Sequence, residues 1–176
     1  MKSVSKILMV ITALLSSMNG FAEIKPTDEA AQITSQLTVV FDNYFSIKDA
    51  LVNSNTSIAA TKAANMVTVT KAVNMGELSI EEHNAWMKVT KDLTRSAEAI
   101  SKSKDLSKQR EAFTLLSKKV YELAKVSKQA VPVYYQHCPM FANGKGANWL
   151  SKESAIKNPY YGNKMLTCGS VVETIK

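Results

Sequence analysis

The sequence of 176 residues predicts an all-α protein: an antiparallel four-helix up-and-down bundle followed by an irregular C-terminal segment. From about residue 27 to residue 130, apolar residues recur at steps of three and four, which is the spacing of one helical face. The interruptions between the periodic stretches are short and polar, which favours antiparallel neighbours. From residue 131 to residue 176 the periodicity is lost, so we expect an irregular tail there.

The first 22 residues have the pattern of a cleaved secretory signal peptide. Lys2 and Lys6 make a basic start, an apolar core follows from Ile7, and small residues precede a cleavage site after Ala22. The apolar core is too short to cross a bilayer, which takes about 20 apolar residues. We therefore expect a single mature domain of residues 23–176, without a transmembrane segment, in the periplasm or outside the cell.

The charge of the chain argues against a nucleic-acid partner. Loss of Lys2 and Lys6 with the signal peptide leaves 20 basic and 15 acidic residues, a net charge of +5. The basic residues are scattered along the predicted helices, with no arginine-rich block and no basic patch interleaved with aromatic residues. The excess of positive charge is compatible with acidic partners.

The first two helices are predicted from one continuous apolar period with a polar interruption. Pro26 and the residues after it suit a helix start, so the first helix is expected over residues 27–52. Residues 53–55 favour a turn, and the second helix is expected to continue to about Val73. The apolar face of the first helix comprises Ile33, Leu37, Val40, Phe41, Tyr44, Ile47 and Leu51.

Two capping patterns predict the third and fourth helices. Ser79 and Glu82 have the spacing of a capping box, in which each side chain binds a backbone N–H group at the start of a helix. Asp105 is suited to cap the fourth helix. Because Pro132 disfavours helix in the residue before it, the fourth helix should end near Ala130. In the tail, helix is expected only over residues 147–151.

The tail concentrates the side chains with ligand chemistry. His137, Cys138 and Met140 place an imidazole, a thiol and a thioether within four consecutive positions, and Met165 and Cys168 follow later. Soft sulfur ligands, with or without imidazole, suit monovalent copper best. Two short loops that lie across the same end of the bundle would bring such ligands together.

A disulfide is the simplest alternative for the two cysteines. In an oxidising compartment, Cys138 and Cys168 would form a bridge that closes a loop of about thirty residues and stabilises the fold by about 3–4 kcal/mol. A catalytic redox pair is less favoured, because no Cys-x-x-Cys motif is present. From the residues alone, the disulfide and the metal site both remain open.

The sequence offers no arrangement typical of an enzyme. No serine lies in a nucleophile elbow, and the glycines near Asn143 lack the strand, spacing and helix of a phosphate-binding loop. His83 lies on one side of the predicted third helix, where a lone histidine is usually structural. We therefore expect no enzymatic activity.

Several segments carry a resemblance to a known family. The chain resembles a family of extracytoplasmic domains of unknown function that occur alone or fused to the periplasmic adaptor, or membrane fusion, subunits of heavy-metal efflux pumps of the resistance-nodulation-division type. The match covers nearly all of the mature chain. The segments that carry it are residues 44–51, 109–113, 135–140, 148–151 and 158–169.

The resemblance implies a role in the handling of copper or related heavy metals outside the cytoplasm. Together with the soft ligands, it leads us to expect a periplasmic protein that binds copper, as Cu(I), and acts as a metal buffer or chaperone linked to efflux. We expect the domain to act without a fused adaptor, so that delivery to a pump would require docking to its periplasmic adaptor in trans. Phe141 stands where the Cys-Pro-Met-His motif of metal-binding adaptor modules has histidine. The alternative is an interaction module with a structural disulfide that docks to a membrane or efflux component. The implied metal ligands are His137, Cys138, Met140, Met165 and Cys168.

Overall fold

The computed structural model describes residues 36–176, which form one compact unit of four long helices and a small sheet. The predicted signal peptide and residues 27–35 of the predicted first helix lie outside the described residues. The helices are α1 (Thr38–Val52), α2 (Thr56–Ala72), α3 (Ile80–Lys102) and α4 (Leu106–Ala124), and the strands are β1 (Val133–Cys138), β2 (Ala147–Ser151) and β3 (Ser170–Ile175). Short helical turns lie at Met75–Glu77, Phe141–Gly144 and Gly162–Lys164.

The predicted helical character is confirmed, but the chain is not all-α. The tail, which we expected to be irregular, forms a three-stranded antiparallel sheet with the order β2-β1-β3. The segment Ala147–Ser151 was predicted as helix and is instead strand β2, whose residue Ser151 pairs with Tyr134. A five-residue helix is too short to be stable alone, whereas the same segment gains backbone hydrogen bonds by pairing with β1.

The helix starts follow the predicted capping chemistry. The capping box is confirmed: Ser79 Oγ accepts from the Glu82 N–H at 3.1 Å, and Glu82 Oε2 accepts from the Ser79 N–H at 3.2 Å. Asp105 Oδ1 accepts from the N–H groups of Ser107 and Lys108 at the start of α4. These bonds satisfy donors that the helix itself leaves free.

The fourth helix ends at Ala124, earlier than the predicted end near Ala130. Ser127 donates both its backbone N–H and its hydroxyl group to the carbonyl oxygen of Leu123, at 3.2 Å and 3.1 Å. A serine hydroxyl that binds a nearby carbonyl competes with the helical hydrogen-bond pattern. Val126 N–H also donates to Leu123 O, only three positions earlier, at 3.1 Å, so the chain leaves the α-helical pattern well before Pro132.

The apolar core lies between the helices and continues under the sheet. Consecutive helices pack on one another, α1 also contacts α4, and β2 packs against α4. Tyr44 stacks on Phe113 with 5.2 Å between ring centroids, and Phe113 contacts Tyr160 of the C-terminal loop. This aromatic group joins the helical region to the tail. Within residues 36–176, no helix combines the length and apolar composition needed to cross a membrane.

Candidate metal site at the end of the sheet

The fold brings the two cysteines together. Cys138 is the last residue of β1 and is fully buried, whereas Cys168 lies just before β3 and is partly exposed. Their Sγ atoms are 3.4 Å apart, without a bond between them. The cause is the antiparallel pairing of β1 with β3, in which His137 lies opposite Ser170. Two cysteines thirty positions apart in sequence therefore become neighbours at one end of the sheet.

Asn158 fixes the loop that carries Cys168. Its side chain is fully buried and donates through Nδ2 to the carbonyl oxygen of Cys168 at 2.8 Å. Its Oδ1 accepts from the N–H groups of Tyr160 at 2.8 Å and Tyr161 at 3.3 Å. Its backbone N–H donates to Leu166 O at 2.8 Å. Asn158 thus binds both ends of the segment from residue 158 to residue 168, and its side chain holds the backbone of Cys168 in place.

Gly169 permits the close approach of this loop to β1. Its φ of 142° lies in a region that other residues rarely adopt. A Cβ atom at this position would lie 2.7 Å from His137 O and 3.0 Å from Trp149 Cη2. A larger residue would push the Cys168 segment away from the strand that ends in Cys138.

The structure does not bring His137 to the thiols. Consecutive residues of a strand point to opposite faces of the sheet, so the side chains of His137 and Cys138 diverge. The imidazole Nδ1 donates to Asn148 Oδ1 at 3.0 Å. The ring also lies close to Gly146, where a Cβ atom would be 2.5 Å from Cε1. The immediate neighbours of His137 are therefore β2 and the turn before it.

The two methionines lie near the thiols along the chain. Met140 follows Cys138 by two positions, so their Cα atoms are at most about 8 Å apart. Met165 O accepts from the Cys168 N–H at 3.1 Å. Met140 is 54% exposed and Met165 is 37% exposed. Both methionines thus lie close in sequence to a site cysteine and are partly open to solvent.

The chemistry of the site is set by the two sulfur atoms. The hydrogen bond with Cys138 raises the pKa of the Cys168 thiol, and burial raises it further. Within the described part of the chain, no three His, Cys, Asp or Glu residues are grouped so that they could hold a metal ion. An ion bound here would therefore rest on the two thiolates and on methionine sulfurs. The same pair of thiols is also close enough to be oxidised to a disulfide.

Two residues that build this region, Asn158 and Arg110, were identified from the sequence only as parts of the segments that carry the family resemblance, without a role of their own. Asn158 precedes Pro159, and such a pair favours a turn but does not reveal a buried amide that holds Cys168. Arg110 is buried beside the tail and donates through Nε to Pro159 O at 2.8 Å. Its spacing of three from Phe113 places it on the apolar face of α4, and that spacing is a signal that could have identified its burial.

Comparison with known proteins identifies a family but no characterised relative. Residues 40–130 match the model of a family described as a protein of unknown function, DUF3347. The matched region begins within α1 and ends before β1, so it covers most of the helical region. No curated protein and no solved structure matches the chain. Because the matched residues make up more than half of the 176-residue sequence, the chain belongs to the DUF3347 family.

Proposed function

We propose that this protein binds copper as Cu(I) through Cys138 and Cys168, with Met140 and Met165 as thioether ligands. The observation that carries the proposal is the approach of Cys138 Sγ and Cys168 Sγ to 3.4 Å, with the two sulfur atoms contributed by separate segments. Thiolate and thioether sulfur are the ligands that favour monovalent copper over zinc and over hard cations. The resemblance described above adds heavy-metal handling outside the cytoplasm as the biological context.

Each ligand has a separate task in this proposal. The thiolates supply negative charge and most of the affinity, and each releases its proton when the ion binds. The exposed methionines provide a path from solvent to Cys138, which is buried. His137 positions the turn around Gly146 through its bond to Asn148 and does not contact the ion.

The proposed setting is the periplasm, reached through the predicted signal peptide. The four consecutive helices would be the up-and-down bundle expected from the sequence, and would serve as a scaffold for the sheet. The protein would buffer copper or deliver it in trans to the periplasmic adaptor of a heavy-metal efflux pump. Support for that partner comes from the resemblance alone.

The test is a titration of the anaerobically reduced mature chain with Cu(I) against a colorimetric chelator of known affinity. We expect one ion per chain, and loss of competition in Cys138→Ser and Cys168→Ser. Met140→Leu and Met165→Leu should each weaken binding by about tenfold, since they remove one ligand of a soft site. Met87→Leu is the matched control, because Met87 is 57% exposed but lies on α3. A Cys138→Ser protein with full affinity would contradict the proposal.

A second candidate function is an interaction module with a structural Cys138–Cys168 disulfide. The complete burial of Cys138 favours it, since a bridge there would fasten the end of the sheet. The two thiols would lose two protons and two electrons to an oxidant, such as the disulfide of a thiol oxidase. The partner would then be a membrane or efflux component. Absence of free thiols after denaturation, with no copper binding after reduction, would favour this candidate.

A further inference from the structure

A basic cleft lies beside the sheet, between the start of α4 and the turns of the tail. Its volume is about 660 Å³. Three of its lining residues are basic and one is acidic, which leaves two net positive charges. Phe141, Tyr160 and Tyr161 provide aromatic surface in the same cleft. The charged lining residues are Arg110, Lys145, Lys164 and Glu111.

Arg110 is a buried cation without a counter-ion among the described residues. It is 9% exposed, and its guanidinium donates only to neutral acceptors. No carboxylate of residues 36–176 forms an ion pair with it, and its three hydrogen bonds use only Nε and Nη2. Burial lowers the pKa of Arg110. The acceptors are Pro159 O at 2.8 Å, Leu51 O at 3.1 Å and Ser54 Oγ at 3.1 Å.

A buried charge without a counter-ion is costly even when some of its donors are hydrogen-bonded, so Arg110 favours an anion nearby. Lys145 and Lys164 add two exposed ammonium groups at the same cleft, and neither forms an ion pair within the described residues. A guanidinium binds carboxylate and phosphate oxygens in a bidentate manner, and ammonium groups bind the same oxygens as point charges. The charge and the free donors of the cleft therefore match an oxyanion.

We propose that this cleft binds a small multivalent oxyanion, with Arg110 as the buried anchor and Lys145 and Lys164 at the rim. The carboxylate of Glu111 in the lining repels anions, so a weakly charged ligand would gain little from the cleft. A multivalent anion can contact all three cations, and this attraction would exceed the repulsion from Glu111. The volume suits a small molecule rather than a protein segment. The oxyanions would be those of a polycarboxylate or of a phosphate compound.

This inference does not depend on copper binding, because the two sites use different ligand atoms. They are nevertheless adjacent, since Met140 also lines the cleft. Cys138→Ser should therefore lose copper binding and keep anion binding. A protein that fails to bind copper but binds anions would contradict only the proposed function.

The test is isothermal titration calorimetry of the metal-free mature chain with citrate and, separately, with pyrophosphate. The buffer has low ionic strength and contains no other multivalent anion, and sodium chloride at matched ionic strength gives the baseline. We expect saturable one-to-one binding of at least one probe. Citrate binding alone would identify carboxylate as the ligand chemistry, and pyrophosphate binding alone would identify phosphate.

Charge-removing variants locate the site. The double variant Lys145→Gln/Lys164→Gln should weaken binding about fivefold or more, whereas Lys71→Gln on exposed α2 surface should leave it unchanged. Arg110→Gln should abolish binding; because it also loses bonds to the tail, its fold is checked by circular dichroism. The double lysine variant keeps the test decisive if Arg110→Gln unfolds. Binding no stronger than the chloride baseline, or an unchanged affinity in the double variant, would overturn the proposal.

Discussion

The hydroxyl group of Tyr44 in α1 accepts a hydrogen bond from the backbone N–H of Leu150 in β2 at 2.9 Å. The same hydroxyl lies 2.9 Å from Ser117 Oγ in α4. Tyr44 is fully buried, and burial raises the pKa of its phenol, so the group stays neutral. One side chain thus joins the first helix, the last helix and an edge strand.

Removal of this hydroxyl should destabilise the junction between helices and sheet. Tyr44→Phe leaves the buried N–H of Leu150 without its acceptor, which costs about 1–3 kcal/mol. The free energy of unfolding in urea measures the effect. Tyr134→Phe is the control, since Tyr134 is half-buried and its hydroxyl makes no hydrogen bond within residues 36–176. Equal stability of the two variants would show that the Tyr44 bond contributes nothing.

Gly169 and Gly144 provide a matched pair for the packing at the thiol site. Both have positive φ, but a Cβ at Gly169 would lie 2.7 Å from His137 O, whereas Gly144 has open space around it. Gly169→Ala should therefore destabilise by about 1–3 kcal/mol more than Gly144→Ala, which carries only backbone strain. Chemical denaturation compares the two. If both substitutions cost the same, contact with β1 is not what requires glycine at position 169.

Asn158 should control the exposure of the Cys168 thiol. Asn158→Ala removes the bonds to Cys168 O and to the Tyr160 N–H, so the loop should open. We expect faster reaction of Cys168 with a thiol reagent under native conditions and a loss of about 1–3 kcal/mol in stability. Asn163→Ala in the exposed part of the loop should change neither quantity. Unchanged thiol reactivity in Asn158→Ala would contradict the positioning role.

The hydrogen bond between Tyr121 and Glu173 should be visible in a pH titration. Tyr121 OH donates to Glu173 Oε2 at 2.6 Å, and this bond is the main cause that raises the pKa of Tyr121 to about 12. Folding raises this pKa above the unfolded value of about 10, so the bond contributes fully below pH 10. Its contribution is lost as the pH rises through 12.

Glu173→Gln should lower the Tyr121 pKa toward the ordinary tyrosine value. The tyrosinate absorbance, taken as the difference between each protein and its Tyr121→Phe counterpart, isolates this one group. An identical Tyr121 titration in the wild type and in Glu173→Gln would show that the carboxylate does not hold the phenol.

The helices could be predicted because their signals are local. The caps at Ser79 and Asp105 and the apolar period of each helix depend on residues within a few positions of one another. The sheet depends on distant partners: β1 pairs with β2 and with β3, which lie in separate parts of the tail. No residue in Val133–Cys138 specifies those partners, although the β propensity of Val133, Tyr134 and Tyr135 is a local signal for a strand.

The candidate site was predictable in composition but not in geometry. The two cysteines were expected to meet across loops, and they meet instead through strand pairing. Strand alternation directs the side chains of His137 and Cys138 to opposite faces of the sheet, which their adjacency in sequence does not reveal. The role of Arg110 could not be predicted, because it depends on neutral acceptors from two distant segments.

Because β1 lies at the centre of the sheet and pairs with β3, the chemical state of the two thiols should affect how firmly β3 is held. β3 is an edge strand that pairs only with β1 within the described residues, and Cys168 stands two positions before its first residue. A bond or a shared ion between Cys138 and Cys168 would restrain the end of this ladder. Amide hydrogens of β3 should then exchange with solvent more slowly than in the reduced, metal-free protein. Amide exchange in β3 should therefore show whether the two cysteines are reduced, bridged or bound to an ion.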